Sequence, residues 1–481
     1  MLVIISDLHL GDGTTAESIP ASAFRLFAKR LRQDAHFAAM HNRTYRPIEE
    51  LDVILMGDIL DPLHSTKWLF PATDSNTPNR ITEPADSDYI RPWSNPNDPR
   101  FAAKLLEVTE AILEYNKDGL EIFRNLSRGL MINFDAPDDS QGRLFNSTEK
   151  IPLLVRFHYM VGNHDWYYHL KGEAFDQIRQ KIIDAMGLCN PPTPFPYDLT
   201  EYDPSQADLH PNWQRDEYPA IERLFREYKV FVRHGDCYDH FNFDSEKGRD
   251  YSTLGDAFTM EVCNRFPEQL KSMPNLNLEI VNKLRHITNI RPALATPLWV
   301  TGQLRNLSLS NKLGGVHESD LKRVWDDLAD NFLHLDFVRR ADKRFAFDVV
   351  DQMEIAVKIS RAISLEQIDR LMYRLQHQSS TGTDRSFAQF ALTEPAFERN
   401  TARYIVYGHT HHHETIPLDY DDIGGNQIYF NSGTWHTYFD LARKNPTEKK
   451  FIPYKALTYI TFYKDNEHDE RHFETWSGAY A

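Results

Sequence analysis

Five short polar clusters in this chain hold residue types that bind hard or borderline divalent metals. They are Asp7-Leu8-His9, Gly57-Asp58, Gly162-Asn163-His164-Asp165, His234-Gly235-Asp236 and Gly408-His409-Thr410-His411. Imidazole, carboxylate and amide oxygen suit manganese, iron and zinc, and two such ions about 3.5–4 Å apart can clamp the oxygens of a phosphoryl transfer. Asp7 and His9 stand two residues apart, so an extended chain points both the same way and lets them grip one ion. His409 and His411 repeat the spacing. Asp58 follows Gly57, where the chain can turn tightly, and its two oxygens make it the natural bridging carboxylate. Asn163 offers a neutral amide oxygen that adds no negative charge beside a phosphate, and His234 completes the set.

Any one cluster could be accidental, because Asp-x-His and Gly-Asp are frequent in long chains. The conjunction is different, since each cluster follows a short apolar run: residues 2–5, 53–56, 155–161, 228–232 and 404–407. Runs of that length, rich in Val, Ile and Tyr and ending in Gly or polar residues, predict buried strands. Groups at the carboxyl ends of such strands project into one crevice. Residues 427–430 and 456–463 predict two further strands, the second closing a sheet before a polar tail. Helical spacing in residues 101–126, 172–186 and 221–228 makes the class α/β.

In this order the clusters resemble the calcineurin-like metallophosphoesterases. That family's pattern is Asp-x-His, Gly-Asp-x-x-Asp, Gly-Asn-His-Asp/Glu, a lone His after a strand, and Gly-His-x-His; here Asp61 supplies the last position of the second element. The resemblance implies one divalent ion (manganese, iron or zinc) held by Asp7, His9, Asp58 and His411, and a second held by Asp58, Asn163, His234 and His409. It implies a β-sandwich of two mixed sheets flanked by helices, with the site at the strand ends. The activity implied is hydrolysis of a phosphate ester by in-line attack of a metal-bridging hydroxide. His164 then looks like the general acid or charged stabiliser of the leaving group, with Asp165 orienting it and favouring its protonated form. Asp61 is expected to orient a ligand or nearby backbone, as Asp12 and Asp236 could. His412 and His413 are expected in an exposed loop, Cys237 as a buried thiol, and Trp166, Tyr167, Tyr168 and His169 as packing residues.

Two segments exceed simple connections. Residues 62–100 are rich in Pro, Asn, Asp, Ser and Thr with Trp68, Phe70, Tyr89 and Trp93 interspersed, and predict an extended loop beside the site that could roof the crevice. Residues 241–400 are mainly helical in pattern, around Leu270 and in residues 321–338 and 363–375. They predict a large helical insertion, a possible cap, dividing a catalytic domain of residues 1–240 and 401–481. The UDP-diacylglucosamine pyrophosphohydrolases, similar in their HGD and GHTH segments, use a shorter insertion as a lid; their third cluster usually has Arg where this chain has His164.

A net charge of −16 opposes binding to polyanions, which makes nucleic acid an unfavoured partner and a small phosphodiester or phosphomonoester the expected one. The chain has no apolar run of membrane-spanning length, no basic leader and only three cysteines without a CxxC pair, and a cytoplasmic protein is expected. Protein Ser/Thr phosphatases of the same superfamily carry Glu after Gly-Asn-His and an Arg-Gly step after the second cluster, where this chain has Asp165 and Pro62-Leu63. A catalytically silent scaffold would lack the acid or several ligands, and here the set is intact. Substrate and oligomeric state are left open.

Overall fold

The computed structural model describes residues 1–15, 17–42, 44–71, 89–137, 149–199, 216–291, 293–309, 316–341, 350, 387–421, 425–441 and 451–479. The chain is mixed α/β with several mixed sheets. Its strands that matter to the site are β1 (Leu2–Ile5), β2 (Glu50–Met56), β3 (Leu154–Met160), β4 (Val230–Val232), β5 (Ile290–Arg291), β6 (Tyr404–Tyr407), β7 (His413–Asp421), β8 (Gly425–Ser432), β9 (Tyr438–Leu441), β10 (Phe451–Tyr454), β11 (Ala456–Phe462) and β12 (Phe473–Ala479). One sheet runs β12-β11-β1-β2-β3 and a second β7-β8-β6-β4.

Register explains why the polar clusters meet. β1, β2 and β3 are parallel, with Ile5 opposite Leu55 and Met56 opposite Met160, so their carboxyl ends fall on one edge. In the second sheet β4, β6 and β8 are likewise parallel, with Val232 opposite Val406 and Tyr407 opposite Asn431.

Covered faces account for the unbroken apolar runs. Leu2, Ile4, Ile54, Met56 and Met160 share one buried cluster with Val230, Val232, Tyr404, Val406, Ile428 and Phe430, so the two sheets bury a common layer between them. The alternate residues Val3, Ile5, Val53 and Leu55 pack on the other side with Phe24, Phe27, Leu105 and Phe123. Those belong to α1 (Ala21–Ala38), α2 (Pro99–Tyr115) and α3 (Lys117–Ser127). A strand buried on both faces has no reason to alternate.

The helical stretch expected over residues 101–126 is two helices. Asn116 interrupts it because its side-chain amide donates to the Gly11 carbonyl at 2.7 Å and the Ile112 carbonyl at 2.8 Å. α4 (Glu173–Met186) and α5 (Pro219–Tyr228) lie where helical spacing predicts, but Tyr228 ends a helix and does not start a strand; Lys229, at φ 51°, turns the chain. Residues 456–463 do not close their sheet: β12, in the polar tail, adds an antiparallel edge strand with Phe462 opposite Phe473.

The described part of the loop at 62–100 is no simple roof. Trp68 is fully buried against Tyr167, its indole donating to the Pro62 carbonyl, and Arg91 bonds Glu261 of the insertion at 2.9 Å. Within residues 241–400, helices α6 (Leu254–Phe258), α7 (Arg265–Lys271), α8 (Leu278–Leu284), α9 (Thr296–Leu309) and α10 (Glu318–His334) surround Phe258, Phe266, Trp299, Trp325 and Phe332. The run at 321–338 breaks at Leu335, which adopts extended backbone. Residues 363–375 lie outside the described part. The insertion also joins the rest of the fold through β5, which pairs parallel with β9 in a three-stranded sheet β10-β9-β5. Among the described residues no helix is long and apolar enough to cross a membrane.

Candidate metal centre

The loops after β1 and β2 are tied together by backbone hydrogen bonds, Asp7 N to Gly57 O at 3.1 Å and His9 N to Asp58 O at 2.9 Å. Asp7, His9, Asp58, His409 and His411 all have φ between 47° and 65°. The condition of an extended chain is therefore not met at Asp7/His9 or at His409/His411. Left-handed backbone, costing about 1–3 kcal/mol at a non-glycine residue, aims these side chains inward, and the paired loops hold it in place.

Three motif glycines, Gly57, Gly162 and Gly408, stand where a side chain would collide with the site. A Cβ at Gly57, which has φ 86°, would lie 2.6 Å from His234 Nδ1, and one at Gly408 would lie 2.6 Å from Asp7 Oδ2.

Asp7, His9 and His411 converge as one group. His9 Nε2 and His411 Nε2 are 3.0 Å apart, and Asp7 Oδ1 is 3.3 Å from the latter and 3.8 Å from the former. Asp7 Oδ2 accepts from Ser6 Oγ and from His409 N, whereas buried Oδ1 has no hydrogen-bond partner. Asp58, His234 and His409 form a second group. His234 Nε2 lies 3.2 Å from Asn163 Oδ1 and His409 Nδ1 2.9 Å from the same oxygen. Asp58 faces both groups through one atom: Oδ2 is 3.7 Å from His9 Nε2 and 3.3 Å from His234 Nε2. Its Oδ1 is taken by the His164 backbone N–H at 2.8 Å, so a shared single oxygen replaces the expected two. Buried Asp and His clusters of this kind could hold a metal ion. The donor set fits one, because an orphaned buried carboxylate oxygen beside two converging imidazole nitrogens is costly without a cation.

Electrostatics keep these groups in usable states. Burial opposes the charge on Asp7 and Asp58, but His234 and the other imidazoles outweigh it and hold both carboxyls well below the usual range. His411 is pushed down, by burial and then by the Arg291 cation, so its neutral ring keeps a lone pair for coordination. His9 is raised to about 9: burial works against its charge, and the Asp61 and Asp7 carboxylates win. A metal must displace that proton.

Ring orientation comes from groups outside the candidate ligands. His9 Nδ1 is 2.8 Å from Asp61 Oδ2, His234 Nδ1 3.0 Å from the Met56 carbonyl and His409 Nε2 3.1 Å from Asp239 Oδ2. Asp61 thus contacts the ring of His9, one of the candidate ligands. The orienting role expected of Asp165 is a correction. Asp165 accepts from Ile59 N, Gly162 N and Tyr159 Oη, stapling the second cluster to the third, while the His164 ring faces Asp61 at 3.1 Å. Burial, then the nearby Asp58 charge, pushes Asp165 up to about 6 against those three hydrogen bonds.

The remaining candidates divide. Trp166, Tyr167 and Tyr168 are core, and His169 is half-buried with Nδ1 on the Phe195 carbonyl. Asp12 accepts from Thr14 and Ser65, and Asp236 pairs with Arg249; neither lies in a candidate metal group. Cys237 is only half-buried, with Arg233 3.5 Å from its sulfur. His412 and His413 are not exposed: His413 opens β7, and both line a cavity of about 220 Å³ beside His411, with Tyr438 and Tyr454. His64, Asp239, Arg291 and His436 also border the centre, and no motif spacing points to them. His64 and His436 touch Asp61 and Asn289 respectively.

No family model matches the chain, and no curated protein matches it either.

Proposed function

We propose that this protein is a dinuclear metallophosphoesterase of the calcineurin-like superfamily that hydrolyses a small phosphate ester. The observation that carries this is Asp58 Oδ2, one buried carboxylate oxygen turned toward two separate sets of metal-type donors. Two mixed sheets sharing a buried layer, with helices outside and all five clusters on one edge, support assigning the metallophosphoesterase sandwich.

Asp7, His9, Asp58 and His411 would hold one ion, and Asp58, Asn163, His234 and His409 the other. Bound divalent ions would supply a nucleophile at neutral pH and neutralise charge on the phosphoryl oxygens. The chain supplies the rest. His164, whose backbone N–H fixes Asp58, donates a proton to the departing oxygen, its Nδ1 side aligned by Asp61. Asp61 also fixes the tautomer of His9, and Asp239 that of His409.

Full-length protein loaded with manganese is expected to retain a pair of ions and to hydrolyse an aryl phosphate ester, and Asp58→Asn to lose both properties. Elemental analysis finding no retained metal, or turnover no higher than in chelator-treated protein, would overturn the proposal.

A further inference from the structure

Arg291 reaches the metal centre from the insertion. It ends β5, which the pairing of Ile290 with Phe439 and of Arg291 with Asp440 fixes against β9. Its guanidinium is fixed as well: Nη1 donates to the Thr288 carbonyl at 3.2 Å and the Ile290 carbonyl at 3.0 Å. That leaves Nη2 directed at the centre, 3.4 Å from His411 Nε2.

The arginines buried in this part of the fold are each matched by a carboxylate, Arg91 and Arg265 by Glu261, Arg233 by Glu394 and Arg249 by Asp236, whereas Arg291 is half-buried. Among the described residues no carboxylate lies within ion-pair distance of Arg291. A guanidinium held rigidly beside a cation-binding centre, without a carboxylate of its own, is placed for an anion that arrives from outside.

We propose that Arg291 is the substrate-phosphate residue of this site and that it selects phosphate monoesters over diesters. The inference rests on the phosphoesterase reading above. A diester has two non-bridging oxygens, which a bound pair of metal ions would engage. A monoester has a third, with an additional negative charge, and Arg291 Nη2 supplies the donor and the charge that match it. Inorganic phosphate, the product, carries the same complement. The insertion then acts on specificity by delivering one cation through β5.

The test uses manganese-loaded full-length protein, its Arg291→Ala and Arg291→Lys variants, and three measurements: metal content, calorimetric affinity for inorganic phosphate, and kcat/KM for 4-nitrophenyl phosphate against methyl 4-nitrophenyl phosphate. Arg291→Ala is expected to keep its metals, to bind phosphate about 10- to 100-fold more weakly, and to lower the monoester-to-diester ratio by about tenfold or more. Arg291→Lys restores part of the phosphate affinity, because it returns the charge without the planar fork. Unchanged phosphate affinity, an equal loss on both esters, or loss of metal from Arg291→Ala each overturns the assignment; the last would make Arg291 a support for His411. If wild-type protein keeps both ions yet binds no phosphate and cleaves neither ester, the phosphoesterase reading itself fails.

Discussion

Asp61 Oδ1 lies 3.1 Å from Nδ1 of His164, on the side of the ring that adjacency in sequence assigns to Asp165. The same carboxylate bonds Nδ1 of His9 and of His64, so one buried anion sets the orientation of three imidazoles. The imidazoles of His164 and His64 in turn hold Asp61 well below the usual carboxyl range despite its burial.

Asp61→Asn is therefore expected to weaken metal binding by about 10- to 100-fold, the usual consequence of removing an anion behind a ligating histidine, and to lower turnover as well. Asp165→Asn should keep its metals and turn over substrate, because Asp165 holds backbone and a tyrosine hydroxyl, and should register mainly as a lower melting temperature. Metal titration and thermal unfolding of both variants check this. A metal-replete but inactive Asp165→Asn, beside an active Asp61→Asn, would restore the orienting role to Asp165.

His164→Ala separates acid chemistry from metal binding. Its ring is in neither ligand group that includes Asp7 or His234, so metal content should stay near that of the wild type. Turnover should fall on the order of 10²- to 10⁴-fold. The loss should be greatest for an alkyl phosphate and smallest for 4-nitrophenyl phosphate, whose leaving group departs without a proton. An equal loss across leaving groups would remove His164 from the acid role.

Asp239 allows the two proposed ion sites to be distinguished. Its contact with His409 Nε2 turns Nδ1 toward Asn163, and His409 belongs to only one of the two groups. Asp239→Asn should weaken one ion by about 10- to 100-fold and leave the other bound. Stepwise manganese titration followed by elemental analysis reads this directly; uniform loss of both ions would show that the two groups are not independent.

That the seven candidate residues would come together was legible because each follows a strand whose apolar composition survives burial on both faces, and parallel register brings the strand ends to one edge. What escaped is tertiary. Asp239 and Arg291 act through rings and elements remote in sequence, and nothing local marks an aspartate that will stand behind His409 or an arginine in an insertion that will meet His411. The shared direction that an extended chain would give Asp7 and His9 does not apply, for a related reason. A spacing of two fixes direction only if the conformation is known, and the pairing of these loops imposes φ values near 50°. Asn116 broke a helix through a hydrogen bond to Gly11, a contact invisible to helical periodicity.

Asp52 lies away from the metal centre and tests the sheet that supports it. It is buried on β2 directly opposite Arg156 of β3, whose Nε and Nη2 reach its two oxygens at 2.9 and 2.7 Å, and His158 Nε2 adds a contact at 2.8 Å. Burial alone would raise its pKa, but His158 and Arg156 outweigh that and depress it. A carboxyl depressed on folding stabilises the native state fully above its unfolded value, near 3.9, and loses that contribution as pH falls toward the folded value. Asp52→Asn should therefore cost about 1.5–3 kcal/mol at neutral pH. The difference from wild type should narrow below about pH 4. Urea unfolding of both proteins in metal-free form, followed by circular dichroism across that range, measures it; a gap that stays constant as pH falls would mean that the Asp52 charge contributes nothing to holding β2 against β3.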